Sequence, residues 1–270
     1  MLDADDSSQG FFDHKESVFT IALSPMHPTL VLTGAGDNAA FLWDFTTGER
    51  KATLSGHTDS IIAGGFSADG RLVATASMDA TVRVYRVADG SLHRTLEGPA
   101  KELEWMEWHP LGPVLAAGSA DETVWMWNGD SGECMSVFSG QGGGVTCGGW
   151  TADGKTLISC GESGDLIVWN PKSGEASVHL KDIADGPVTS FATHPDKTQR
   201  MCITGGADGI VKVRIHTHTH THLSLPVSSC GRQNTTARVL ASIACRTSAE
   251  FAAVFVCPIV RGPGGKGFQF

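Results

Sequence analysis

His57 and Asp79 are the residues of this chain whose types come closest to general acid–base chemistry, an imidazole as base and a carboxylate to orient it. A base of this kind also needs a nucleophile and a pocket, and nothing in the surrounding pattern supplies either. The pair is therefore read as a buried His–Asp contact that orders a turn, and no catalytic residue is assigned. His216, His218, His220 and His222 alternate with other residues, which on a strand puts four imidazoles on one face. No acid or cysteine adjoins them, so no metal site is assigned either. The seven cysteines form no C-x-x-C pair and read as reduced thiols. The stretch from Gly262 to Gly267 contains Lys266 but lacks the Ser/Thr and the spacing of a phosphate-binding loop. No cofactor is expected.

The elements that hold these residues repeat. Trp43, Tyr85, Trp127 and Trp169 follow one another at intervals of 42 residues. A fixed period of that size signals stacked supersecondary units, none of which buries its own core. The second copy is the fullest: apolar residues 60–66, an Ala68-Asp69-Gly70 turn, residues 72–77, a turn at Asp79, and an alternating third strand over 81–85. A fourth strand follows over residues 91–96. Four short strands per repeat predict an all-β fold in a single domain. At 41% hydrophobic and 18% charged residues, the composition excludes a disordered chain. No apolar run approaches the ~20 residues of a membrane span. The acidic start through Asp3, Asp5 and Asp6 lacks the basic opening of a secretory signal. With the unpaired thiols, this places the expected location in the cytoplasm.

These residues resemble the WD-repeat family: Gly56-His57, then Ala68-Asp69-Gly70, then Asp79, then Tyr85 where the family prefers Trp, and the literal Trp43-Asp44 dipeptide. The resemblance implies a β-propeller, with five blades here out of a ring of seven, and therefore two open blade faces. It also implies a structural tetrad in the second blade: His57, Thr75 (or Ser77), Asp79 and Tyr85. His14 stands displaced from the matching position in the first copy, and Pro99, Gln141 and Gly186 occupy it in the later ones. Three segments follow: an acidic N-terminal segment over residues 1–16, propeller blades over 17–213, and a tail over 214–270. The tail begins at Arg214, where a closing aromatic is due, and runs into His-Thr alternation of the kind a translated CA microsatellite gives. It reads as intron read-through or as an alternative, non-homologous terminus, and as disordered.

A closer resemblance rests on the string Leu103-Glu104-Trp105-Met106-Glu107-Trp108-His109-Pro110 and on Val124-Trp125-Met126-Trp127. These are similar to the angio-associated migratory cell protein family, which has a fungal relative that escorts a basic large-subunit ribosomal protein. The charge agrees. Residues 1–213 hold 14 basic and 28 acidic groups, a net −14 that disfavours nucleic acid and anionic membrane and steers basic ligands. The loops that enter the first strand of each blade and join the second to the third should share one rim. Candidate partner-binding residues there are Asp59, Glu102, Glu104, Glu122, Glu162, Asp165 and Asp185, with Trp105 as an aromatic anchor. The turn aspartates Asp37, Asp79, Asp121 and Asp208 are expected to bond their own backbone. The function implied is a non-enzymatic scaffold for a basic ribosomal protein. A signalling or cell-migration adaptor that binds peptides is the alternative.

Overall fold

The apolar runs of each repeat are only four to six residues long and are divided by turns that need a left-handed backbone, as at Gly70 (φ 67°) and Gly90 (φ 69°). Such runs cannot form helices of useful length, and they fold as antiparallel meanders. The structure is a computed structural model that describes residues 10–198 and 201–215.

Blade 1 contains β1 (Val18–Leu23), β2 (Leu30–Ala35), β3 (Ala40–Asp44) and β4 (Glu49–Leu54). Blade 2 contains β5 (Ile61–Phe66), β6 (Leu72–Ser77), β7 (Val82–Arg86) and β8 (Leu92–Leu96). Blade 3 contains β9 (Leu103–Trp108), β10 (Val114–Ser119), β11 (Thr123–Asn128) and β12 (Cys134–Ser139). Blade 4 contains β13 (Val145–Trp150), β14 (Leu157–Gly161), β15 (Leu166–Trp169) and β16 (Ala176–Leu180). Blade 5 has three described strands, β17 (Val188–Thr193), β18 (Met201–Gly206) and β19 (Val211–Ile215). Strands pair in chain order within every sheet, as a propeller meander requires.

The core lies between sheets rather than inside one. Leu32, Ala40, Leu42 and Leu54 of blade 1 pack on Ile61, Phe66, Val73 and Tyr85 of blade 2. The same positions one repeat later, Ala74, Val82, Val84 and Leu96, pack on Leu103, Trp108, Leu115 and Trp127. The junctions between blades 3 and 4 and between blades 4 and 5 repeat the scheme.

The innermost strands β1, β5, β9, β13 and β17 stack side by side, so each leaves one backbone edge without a ladder partner. Neighbouring blades supply the missing bonds through side chains. The Trp108 indole donates to the Gly65 carbonyl at 2.9 Å, and the Thr193 hydroxyl donates to the Trp150 carbonyl at 2.9 Å. The Trp150 N–H donates to the Glu107 carboxylate at 3.0 Å. Each innermost strand also carries a β-bulge at its second residue: Phe19, Ile62, Glu104, Thr146 and Thr189. A bulge inserts one residue and re-aims the side chains around it.

Two expected boundaries move. The repeat starts before residue 17, because His14 belongs to blade 1 through contacts described below. It also runs past residue 213, because β19 continues through Arg214 to Ile215, with Arg214 opposite Cys202. The expectations for His216, His218, His220, His222 and the rest of the tail lie outside the described residues.

Candidate functional site

In blade 1 the Trp43 indole donates to Thr33 Oγ1 at 2.8 Å, and Thr33 Oγ1 stands 2.8 Å from His14 Nε2. His14 Nδ1 meets Asp37 at 3.1 Å. Only one assignment of protons satisfies the whole chain. The indole donates to the hydroxyl, the hydroxyl donates to Nε2, and Nδ1–H donates to the carboxylate. His14 is therefore not displaced, contrary to the sequence reading, and blade 1 holds a complete tetrad. Its histidine lies 29 residues before Trp43, where His57 lies 28 before Tyr85, because the β1–β2 turn is one residue longer.

Blade 2 brings His57, Thr75 and Asp79 together: His57 Nε2 is 2.9 Å from Thr75 Oγ1, and Nδ1 is 2.9 Å from Asp79. The phenol of Tyr85 stands beside the Thr75 hydroxyl and donates to the Ser55 carbonyl at 3.1 Å. Hydroxyl, imidazole and carboxylate in this order have the contacts of a hydrolytic triad. Burial decides against catalysis, since Thr75 is fully buried and no substrate can reach its oxygen. Burial also pushes the His57 imidazole below its ordinary pKa, against the pull of Asp79. Burial works to raise the Asp79 carboxyl, but hydrogen bonds from Thr81, the Thr58 N–H and His57 outweigh it and hold the carboxyl below the ordinary value.

Blade 4 builds the same chain from different residues. The Trp169 indole donates to Ser159 Oγ at 2.8 Å, Ser159 donates to Gln141 Oε1 at 2.8 Å, and Gln141 Nε2 donates to the Asp165 carbonyl at 3.2 Å. Blade 3 has Pro99 and Ala117 at the histidine and hydroxyl positions, and Trp125 fills the space by stacking on Trp127 with ring centroids 5.8 Å apart. Trp125 is thus interior packing.

The turn aspartates do more than brace their own turns. Asp37, Asp79, Asp121 and Asp208 each accept the N–H two residues on: Ala39, Thr81, Thr123 and Ile210. Each also accepts an N–H from the loop that enters the first strand of its blade: Lys15 at 2.8 Å, Thr58 at 3.0 Å, Ala100 at 2.7 Å and Asp185 at 3.0 Å. This pair of hydrogen bonds clamps the two loops together in blades 1, 2, 3 and 5, and in blade 4 the Glu162 N–H donates to the Gly144 carbonyl instead.

Asp59, Glu102, Glu122, Glu162 and Asp185 lie exposed in these loops, and Glu104 is exposed at the β9 bulge beside them. Two candidates sit differently. Asp165 is only 7% exposed. Its carboxylate meets His179 at 3.0 Å and accepts the Asp182 N–H at 3.3 Å, so it is not free for a partner. Trp105 is also 7% exposed, packed in the junction of blades 3 and 4, with its buried indole N–H unpartnered. It cannot serve as an exposed anchor.

Sequence reasoning assigned no role to Glu107. Its carboxyl lies between innermost strands, against the Trp150 N–H and beside a cavity of about 190 Å³ that Trp105, Cys147, Phe191 and Thr193 also line. Solvent reaches the side chain, yet protein surrounds it closely. Desolvation pushes its pKa up to about 7, against the lowering bond from Trp150. The signal available was a second glutamate in a strand whose other residues, Glu104 apart, are all apolar.

Stacked four-stranded meanders, with a tryptophan–hydroxyl–histidine–aspartate clamp in blade 1 and variants of it in blades 2 and 4, define a WD-type propeller assembly. The WD domain, G-beta repeat family matches residues 6–44, 48–86, 90–128 and 132–170, over half of the sequence, and the chain belongs to that family. Among curated proteins, it is 42% identical over 109 residues to the angio-associated migratory cell protein of Homo sapiens, covering 40% of this chain and 25% of that protein. It is 36% identical over 115 residues to the ribosome assembly protein SQT1 of Saccharomyces cerevisiae, covering 40% of this chain and 26% of that protein. A WD repeat-containing protein of Schizosaccharomyces pombe is 49% identical over 70 residues, or 18% of its length. The matched stretches thus span about a quarter or less of these relatives.

Proposed function

We propose that this chain is a non-catalytic scaffold whose acidic rim binds a basic protein, specifically a basic large-subunit ribosomal protein during ribosome assembly in the cytoplasm. The carrying observation is the charge of the rim. Its loops hold three lysines, Lys15, Lys101 and Lys181, and no arginine. Asp59, Glu102, Glu122, Glu162 and Asp185 are exposed there with far fewer cations in the same loops to balance them. On the opposite rim charges compensate locally, as where Arg71 pairs with Asp69 and Asp130. An uncompensated anionic surface attracts a basic partner over a range set by ionic strength. Similarity to a ribosome assembly protein supports the same reading.

The test is capture of purified basic ribosomal proteins by the 270-residue chain at low and high salt. Screening shortens from ~10 Å at 0.1 M to ~3 Å at 1 M, so capture should weaken steeply as salt rises. A triple variant, Glu102→Lys, Glu122→Lys and Glu162→Lys, should abolish it, whereas Asp69→Lys on the opposite rim should not. Capture that ignores both salt and charge reversal would sink the proposal.

A further inference from the structure

The two terminal blades expose what every internal junction covers. Val18 is 51% exposed, while the residues at the same register position in the other blades, Ile61, Leu103, Val145 and Val188, are fully buried. On the same face Ile21 is 45% and Leu23 50% exposed. In blades 2 to 4 the preceding blade buries the counterparts of Leu23, namely Phe66, Trp108 and Trp150. At the other end, Ile203, Val211 and Val213 of blade 5 are partly exposed. Their counterparts Ala74, Val82 and Val84 are fully buried against the following blade.

The strand inventory matches the faces. Phe138 on β12, an outermost strand, packs on the closing Trp169 of the next blade with ring centroids 5.3 Å apart. Phe11 packs on Trp43 in the same manner at 4.8 Å. Phe11 thus stands on blade 1 where the outermost strand of a preceding blade would lie. Blade 5 has no fourth strand among the described residues, and β19 is its outer edge. Among the described residues, one end presents an outermost-strand segment without a sheet, and the other a sheet without an outermost strand.

We propose that copies of this chain associate head to tail, the far face of blade 5 in one copy docking on the near face of blade 1 in the next. The Phe11 segment of the second copy then lies along β19 of the first. The contact continues the blade-to-blade interface already made four times within the chain, so the two faces are complementary by construction. Two different faces meet, which makes the contact heterologous, and it extends rather than closing at a dimer.

Sedimentation velocity on the unsubstituted 270-residue chain over a hundredfold concentration range is the first arm. A sedimentation coefficient that rises with concentration is expected, and a monomer throughout overturns the proposal. The second arm blocks one face at a time: Ile21→Lys with Leu23→Lys, or Val211→Lys with Val213→Lys. Each double variant alone should be monomeric, while their equimolar mixture should form dimers and stop there, because only one open face remains on each. Self-association of either variant alone overturns the head-to-tail arrangement. So does a monomeric mixture of two variants that both keep the parent circular dichroism. Leu92→Lys and Met135→Lys, on exposed outer strands, should associate as the parent does.

Discussion

Replacing Glu107 with Gln should stabilise this protein at alkaline pH and leave it unchanged near pH 4. In the folded chain the carboxyl titrates at about 7 instead of 4.5, because closely packed backbone and aromatic groups replace much of its water. Between those values the folded state binds more protons than the unfolded state, so stability falls as pH rises from about 4.5 to about 7 and is level beyond. Taken whole, the displacement corresponds to about 3 kcal/mol. Solvent reaches this side chain, and screening reduces the expected loss to about 1 kcal/mol. Glutamine keeps an oxygen for the Trp150 N–H and carries no charge to desolvate. The assay is thermal melting of parent and Glu107→Gln across pH 4 to 9. The variant should melt about 2–4 °C higher above pH 7, and the two curves should converge on the acid side. Taking the difference between the two proteins removes the contribution of the histidines they share. A variant that melts lower at pH 8, or an offset equal at every pH, would refute the reasoning. Glu107→Ala separates charge from hydrogen bonding. It strands the Trp150 N–H and should offset or reverse the gain at pH 8 and cost about 1 kcal/mol at pH 4.

Other substitutions test the junctions and clamps. Thr33→Ala removes the oxygen shared by His14 and Trp43, leaving two buried groups unpaired, and should cost about 2–3 kcal/mol by denaturant unfolding. Gly118→Ala would drive a methyl into the Trp105 indole and should cost about 1–3 kcal/mol, whereas Gly205→Ala, at the same register in blade 5, meets nothing closer than 3.5 Å and should be near neutral. Asp121→Ala frees both the Ala100 and Thr123 N–H groups, and amide exchange should quicken in both rim loops of blade 3 while blade 2 keeps its protection.

The strands were legible because each repeat writes the same short apolar runs, turn residues and closing aromatic. The sites were less so, for reasons of register. A single extra residue in the β1–β2 turn shifted His14 off the expected spacing, although the loop still brings it onto Thr33 and Asp37. Gln141 was read as a lost histidine because residue type was matched rather than hydrogen-bonding capacity. Its amide accepts from Ser159 and donates to the Asp165 carbonyl, which is what the position requires. Trp105 follows the bulge at Glu104, and that extra residue defeats any reading of faces by simple alternation. Asp165 looked like a loop acid because its turn lacks an aspartate at position 163. In register it matches Thr81 and Thr123, at the entry to a third strand, and it is accordingly buried.

These substitutions share one physical logic, and it bears on how the rim can be charged. Blades 1, 2 and 4 close around their aromatic residue with three different sets of partners, and blade 3 closes by stacking Trp125 on Trp127. The blade tolerates this because every version satisfies its buried donors or replaces them with apolar contact. The rim loops are held separately, by aspartate bonds to backbone N–H groups, and these specify no side chain at the neighbouring positions. The side chains of Asp59, Glu102, Glu122 and Glu162 therefore lie beside anchored turns without taking part in a clamp between the two loops, which engages only their backbone. Their charge adds little to folding and is free to serve recognition. Glu102 and Glu122 flank the blade with neither histidine nor hydroxyl in its clamp, whose two rim loops rest on Asp121 and on the Ala120 N–H to the Glu102 carbonyl. Adjustment of these two acids to a basic partner therefore leaves no histidine–hydroxyl contact to break in their own blade.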